Sequence, residues 1–404
     1  MIKIRKNPYM ILGGSVLLQF CYGLAYVWSV FQPYVKKRFT MDTGSANMPF
    51  AILLACFSIG NVVGGLLQKK VRPMYIVAMG NLMMIIGLYM SAFIPLDKGY
   101  MLNVTYGILG GFGAGIAYNT TIAVVQKWFP EKRGMVTGIL VCSTGSFGLI
   151  MNPIAQKGLS TYGYEEGTLF VASIMIVCLM IGTGFISNPT TEALGGKSLL
   201  KVNEEVNYSI TEVLRMPQYY MITFSMMLAV PGYFLINPML MTLGSQRGLS
   251  ENIALIGVMI VAVMNTLGRL LAPWMSDKIG RKQMLIFLFS MNVLAVLAVS
   301  VLRDQSFIMA VALVGFTYGG FMGMYPTITA DYFGSQNNGI NYGAVMIGYG
   351  ISSLICPYLV KAVQASMMGT VLSLIIAAGA SVLGILLIIL LRKPEAKVVL
   401  QSVS

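Results

Sequence analysis

The sequence predicts an all-α membrane protein of twelve transmembrane helices in two pseudo-symmetric six-helix bundles. Three observations carry this prediction. Of 404 residues, 56% are hydrophobic and only 10% charged, with a mean hydropathy of +0.76, whereas soluble domains carry about 25% charged residues. The apolar runs have helical length and lack the roughly 10-residue alternation of a membrane barrel. A single long polar stretch sits at the midpoint, and glycine patterns on either side of it repeat.

Taken in order, residues 1–6 form a basic tail and Met10 to Phe31 is the first span. Its 22 residues exceed a signal-peptide core, and Pro33, Tyr34 and Lys36 follow in place of a small-residue cleavage site. Further spans are expected at 47–68, 74–94, 100–125, 134–156 and 168–187. After the polar segment 188–217 they resume at 218–241, 252–275, 283–302, 307–330, 341–363 and 368–391. At about 1.5 Å per residue each crosses a hydrocarbon core near 30 Å. The expected organisation is a first bundle at 1–190, a cytoplasmic linker at 191–217, and a second bundle with a short tail at 218–404.

With an even number of spans both termini share one side. That side carries 18 Lys and Arg and the opposite side 8, with Arg269 inside a span completing the 27. The excess places the termini and the linker in the cytoplasm of a cell inner membrane. The formal charge of +13 thus expresses topology and lipid contact, and no nucleic-acid partner is expected. The absence of histidine removes the commonest transition-metal ligand and His-activated nucleophiles. Cys21, Cys56, Cys142, Cys178 and Cys356 all lie in apolar segments without CxxC spacing. No enzyme chemistry, metal or cofactor is expected.

Gly134, Gly138 and Gly145 recur at Gly339, Gly343 and Gly350, and Gly111, Gly115 and Phe129 recur at Gly315, Gly319 and Phe333. Six spans per half keep equivalent helices parallel, as in two halves related by an axis along the membrane normal with a path between them. The same glycines also permit close helix packing. In span 4, GGFGAGIAY at 110–118 offers a groove to a neighbouring backbone and the smooth contact a rocking bundle needs.

Arg269 is the residue the rest must accommodate. A charge at mid-membrane costs from about 2.5 to more than 10 kcal/mol on a lipid-exposed helix, so it faces protein or water and marks a functional site. No Asp or Glu lies mid-span to neutralise it, while Asp331 ends span 10. Hydroxyls are plentiful: Tyr22 and Tyr26 share a face of span 1, Tyr118 ends the glycine run, Tyr318, Met322 and Tyr325 share a face of span 10, and Tyr342, Met346 and Tyr349 one of span 11. An unpaired cation ringed by hydroxyls implies that the missing anion is a ligand. The alternative is snorkelling, because Arg269 lies roughly 10 Å from its helix end. Tyr118 is either a ligand contact or an ordinary interhelical hydrogen bond.

The chain resembles the major facilitator superfamily transporters of the oxalate/formate antiporter group, related to the monocarboxylate transporters. The marks are AYVWSVFQPYV (25–35), GGFGAGIAY (110–118), KWFPEKRGMVTG (127–138), NTLGRLLAPWMSDKIGRK (265–282) and NNGINYG (337–343). The resemblance implies two six-helix bundles with alternating access, a carboxylate-binding arginine at Arg269, and pocket aromatics at Tyr26, Tyr118 and Tyr318. It also exposes departures. Tyr349 stands where the oxalate transporter has a second cation, Met346 where it has tryptophan and Met322 where it has tyrosine. Asn265 stands where proton-coupled animal relatives have aspartate.

One cation implies one carboxylate. The expected function is secondary transport of a small monocarboxylate such as lactate, pyruvate or formate, by proton symport or anion exchange, with oxalate/formate exchange and a non-transporting sensor or scaffold as alternatives. The expected substrate site is Arg269, Tyr118, Tyr26, Tyr22, Tyr318, Tyr349, Asn265, Met346 and Met322. Asp277, Lys278 and Arg281 are expected to lock the cytoplasmic ends of the bundles. The expected partners are a carboxylate anion, a co-transported proton or counter-anion, and lipid, for a protein functional as a monomer.

Overall fold

The computed structural model describes residues 7–68, 70–129, 133–189, 207–334, 337–363 and 369–394. The basic N-terminal residues, positions 130–132 of the KWFPEKRG motif, most of the expected linker and most of the C-terminal tail lie outside the described residues. Among the described residues twelve membrane-length segments follow one another. They are α1 (Pro8–Cys21 continuing as Leu24–Phe39), α2 (Thr43–Leu67), α3 (Pro73–Ala92), α4 (Leu96–Trp128), α5 (133–162), α6 (164–185), α7 (Pro217–Gln246), α8 (Glu251–Ile279), α9 (Arg281–Val301), α10 (Asp304–Phe333), α11 (Asn338–Val363) and α12 (Gly369–Leu390). Arg133–Phe185 is continuous except at Gly163, whose φ of 78° breaks it into two spans. Only glycine takes that backbone without strain, so one residue replaces the longer loop expected there.

The spans match the expected ones in number and order, and most begin earlier than expected. Helix α1 continues through Lys36, Lys37 and Arg38 to Phe39, because hydropathy marks the apolar core of a helix and not its hydrogen-bonded length. It also bends by 42° after Cys21. There the ladder tightens into a single 3₁₀ turn, Leu24–Val27, and Tyr106 donates to the Leu24 carbonyl at 3.0 Å. A buried carbonyl at a helix break needs such a donor. The corresponding first helix of the second half, α7, is also interrupted, at Pro231 and again at Asn237–Met239. Pro231 and Pro238 lack the N–H that an unbroken ladder requires.

Backbone-to-backbone contact holds each half together. A Cβ on Gly111 or Gly115 of α4 would strike the carbonyls of Leu53 or Phe57 on α2, and one on Gly315 or Gly319 of α10 those of Val261 or Asn265 on α8. The repeated glycines thus perform the same task twice. Gly113 meets the Gly80 carbonyl on α3, so the groove of GGFGAGIAY is filled from within its own half instead of serving as a sliding surface. Between the halves, α2 lies along α11 and α5 along α8. There Gly145 faces Thr266 Oγ1 and its repeat partner Gly350 faces Ser58 Oγ, 3.0 and 2.8 Å from the Cβ each glycine lacks.

Hydrogen bonds join the halves at both ends. On the side bearing the termini, Asn119 donates to the Gly339 carbonyl at 3.1 Å. On the far side, Thr242 donates to Gln32 at 3.0 Å, Ser353 to the Ala51 carbonyl at 2.9 Å, and Gln156 to Glu251 at 2.5 Å. The described end of the linker is tied to the second half, where Tyr208 donates its N–H to Phe333 and accepts from Asn337 and Asn341.

Substitution at these glycines should separate packing from propensity. Gly319→Val must displace a backbone carbonyl, and overpacking of this kind costs about 1–3 kcal/mol or more. Gly138→Ala meets nothing within 4 Å and removes glycine's helix penalty of roughly 0.5–1 kcal/mol. Thermal unfolding in detergent should show a lowered midpoint for the first and an unchanged or raised one for the second.

Candidate functional site

Helices α1, α2, α4, α5, α8, α10 and α11 converge on one cavity between the halves. Its wall is made by Tyr22, Ala25, Tyr26, Leu53, Leu54, Phe57, Tyr118, Thr144, Arg269, Met322, Tyr342, Met346 and Tyr349. Its volume is about 30 Å³, enough to hold water.

Arg269 is 5% exposed and turns away from the membrane surface toward the first half. Its Nε donates to Asn265 Oδ1 at 3.1 Å, one helical turn back, its Nη1 to the Val141 carbonyl of α5 at 3.1 Å, and its Nη2 to the Tyr26 hydroxyl of α1. The Tyr26 ring also lies 5.5 Å below the guanidinium carbon. Among the described residues no carboxylate pairs with it. The α1 break presents Tyr26: Gly23 lies so near α5 that a Cβ would meet the Thr144 carbonyl at 2.5 Å, and the tight turn that follows aims the tyrosine at Arg269.

From Tyr26 a chain of hydroxyls crosses the site, to Tyr318 at 3.4 Å and on to Tyr349 at 2.9 Å. Tyr318 does not reach the cavity wall; it stacks on Tyr233 of α7 with ring centroids 3.7 Å apart. Asn265 likewise stands behind the wall, positioning the arginine. Tyr22 offers its ring, while its hydroxyl donates to Asn81 at 2.9 Å inside the first half. Tyr118 packs edge-on against Phe57, with centroids 5.1 Å apart. No hydrogen bond joins the hydroxyl of Tyr118, or that of Tyr342, to another described residue. Gln19 accepts from Thr144 at 2.9 Å and donates to the Tyr118 carbonyl at 3.0 Å, fixing both against α1. Tyr325 leaves the site and donates to Ser225 of α7 at 3.0 Å.

Arg269, Tyr118, Tyr26, Tyr22, Tyr349, Met346 and Met322 therefore share one wall, with Tyr318 and Asn265 directly behind it. Sequence reasoning passed over Val141, Thr144, Tyr233 and Tyr342 as site members. Paired interruptions near the start of both halves, at Gly23 and at Pro231 and Pro238, were the available signal for Tyr233, because broken helices in corresponding positions mark a transport site. Val141 contributes only a main-chain oxygen, and nothing in a side-chain pattern points to that.

The basic turn after α8 makes different contacts from those expected. Arg281 pairs with Asp277 at 2.6 Å and Asp331 at 3.0 Å, and also donates to Ser276 and the Pro273 carbonyl. Lys278 sits 4.2 Å over the Trp274 ring. Among the described residues these partners all belong to the second half, and there the turn ties α8 to α10.

Residues 13–357 match the Major Facilitator Superfamily. The uncharacterized MFS-type transporter YhjX of Escherichia coli is 25% identical over 361 residues, covering 87% of each chain. The oxalate:formate antiporter of Oxalobacter formigenes is 26% identical over 338 residues, covering 83% of this chain and 79% of that one. Among solved structures, a D-xylose-proton symporter superposes with a TM-score of 0.71 at 18% identity over 96% of this chain and 98% of that one, which establishes the fold.

Because the Arg281 pairs are partly exposed and lie within one half, they contribute at most about 1 kcal/mol. Arg281→Gln should leave transport within about fivefold of wild type. A much larger loss in a liposome flux assay would show that this turn locks the bundles in another conformation.

Proposed function

This chain belongs to the Major Facilitator Superfamily and is a secondary transporter; we propose that its cargo is a small monocarboxylate, such as lactate, pyruvate or formate, moved by alternating access. The observation that supports this most is the buried guanidinium of Arg269 in the cavity wall, held among the described residues only by neutral oxygens. Neutral acceptors offset its charge only in part, and a carboxylate would form the stronger, charge-assisted pair. The hydroxyls of Tyr118 and Tyr342 stand ready to orient that anion, with Met322, Met346 and Leu54 as the apolar wall beside it. The driving force is a gradient, of protons by symport or of a second anion by exchange. We place the termini in the cytoplasm of the cell inner membrane, on the side richer in Lys and Arg, and take the monomer as the working unit.

A monoanion leaves the occupied site neutral, whereas a dianion leaves one net negative charge in a low-dielectric space. Unpaired burial of that charge costs several kcal/mol, and each 1.4 kcal/mol is tenfold in affinity. Likeness to the oxalate:formate antiporter supports the competing assignment, oxalate/formate exchange. Uptake of labelled lactate, pyruvate, formate and oxalate into proteoliposomes, with and without a pH gradient, distinguishes the two. The expected result is monocarboxylate flux, with affinity for oxalate lower by about tenfold or more. Tight oxalate binding by the wild-type protein would overturn the one-carboxylate assignment.

Arg269→Gln should abolish flux while the protein still inserts, and Arg269→Lys should also be impaired, because an ammonium lacks the planar fork. Retained anion affinity in purified Arg269→Gln would remove the arginine from the site. Tyr349→Lys adds a second cation to the same wall and should shift preference toward oxalate at the expense of lactate and pyruvate, read by titrating both anion classes at fixed ionic strength.

A further inference from the structure

One face of α5 carries Thr144, Gly148, Asn152 and Gln156 at four-residue intervals, a ladder with rungs about 6 Å apart. Its inner end is in the cavity wall, where Thr144 stands. The Cβ that Gly148 lacks would lie 3.2 Å from Tyr26 Cβ of α1 and 3.3 Å from Ala262 Cβ of α8, so this face looks onto the seam between the halves. Its outer end is the far-side mouth, where Gln156 donates to Glu251 of α8 at 2.5 Å and reaches the Tyr34 hydroxyl at 3.5 Å. Asn152 is the rung between mouth and cavity.

Asn152 is fully buried, and among the described residues neither its Nδ2 nor its Oδ1 has a hydrogen-bond partner. Its Nδ2 lies 3.3 Å from the Cβ position at Gly148, which turns the carboxamide back along the ladder toward Tyr26 and the cavity. Buried amides are satisfied in the great majority of cases, and an exception requires a cause. Leaving such groups unpaired weighs against the closed arrangement by roughly tenfold or more in equilibrium. A leucine would fill similar space without that cost, so packing alone does not account for asparagine here.

We propose that Asn152 is a transit contact for the carboxylate, satisfied when α5 and α8 part on the far side and its Nδ2–H groups face the opened path. It would hand the anion between the mouth at Gln156 and Glu251 and the guanidinium of Arg269. Its unpaired state when closed also favours reopening. This inference rests on the proposed carboxylate transport, and the test below separates the two.

Asn152→Leu removes the unpaired groups at similar volume. The expected outcome is a raised thermal unfolding midpoint in detergent, pyruvate or lactate binding within about threefold of wild type, and a maximal flux in proteoliposomes lowered by about tenfold. A lowered midpoint with unchanged flux would overturn the proposal and make Asn152 a packing residue, as would unchanged flux with any midpoint. If Asn152→Leu fails to elute as a single species, Asn152→Ser and Asn152→Ala decide. The serine variant should retain flux that the alanine variant loses, and equal flux would overturn the proposal. Should wild-type protein carry none of the monocarboxylates, the site assignment itself fails; wild-type flux with an indifferent position 152 removes only the transit contact.

Discussion

Burying one guanidinium in a lipid-bounded interior is the constraint on which the architecture turns. A charge so placed must be solvated by the protein, and Arg269 obtains its acceptors from three helices in two halves: Asn265 beside it on α8, Tyr26 on α1 and the Val141 carbonyl on α5. Two of the three lie across the seam. The residue that makes the cavity chemically distinctive therefore also draws its walls together, and its contacts hold the halves in register.

Within each half, the glycine contacts supply stiffness. Helices α4 and α10 seat themselves on carbonyls of α2 and α8 at distances no side chain would allow. Close packing of this sort transmits displacement instead of absorbing it. The matched contacts also align the halves residue by residue. Leu53 and Phe57 on α2 correspond to Val261 and Asn265 on α8, which sets Asn61 opposite Arg269 in the repeat. Asn61 is buried and spends its Nδ2 on the Phe57 carbonyl, so the halves share a frame but only one is charged.

Much of this was legible in the sequence, for identifiable reasons. Span number followed from hydropathy, because a membrane imposes length on every crossing helix, and the repeat followed from glycines that a backbone contact makes irreplaceable. Arg269 announced itself by its cost. The site members that stayed hidden are those whose role depends on the far half: the Val141 carbonyl, Thr144 held by Gln19, and Tyr233 brought into place by a proline break. Tyr342 stood in a noted helical face with Met346 and Tyr349, but nothing in the pattern showed which of those tyrosines would keep an unengaged hydroxyl. The turn at Asp277 and Arg281 is a different case. Its charges are conspicuous in sequence, yet i,i+4 geometry lets Asp277 and Arg281 satisfy each other locally.

The one-sided placement of the cation has an electrical consequence. With Arg269 as the one charged residue in the cavity wall, a monocarboxylate bound there, as proposed, would render the loaded centre electroneutral. The unloaded centre retains one positive charge. An elementary charge moved across the full field is worth about 2.3 kcal/mol per 100 mV. Under anion exchange both crossings would be loaded and neutral, so voltage would leave the cycle untouched, whereas under proton symport the added proton would restore one positive charge to the loaded centre and voltage would act on both crossings in opposite senses.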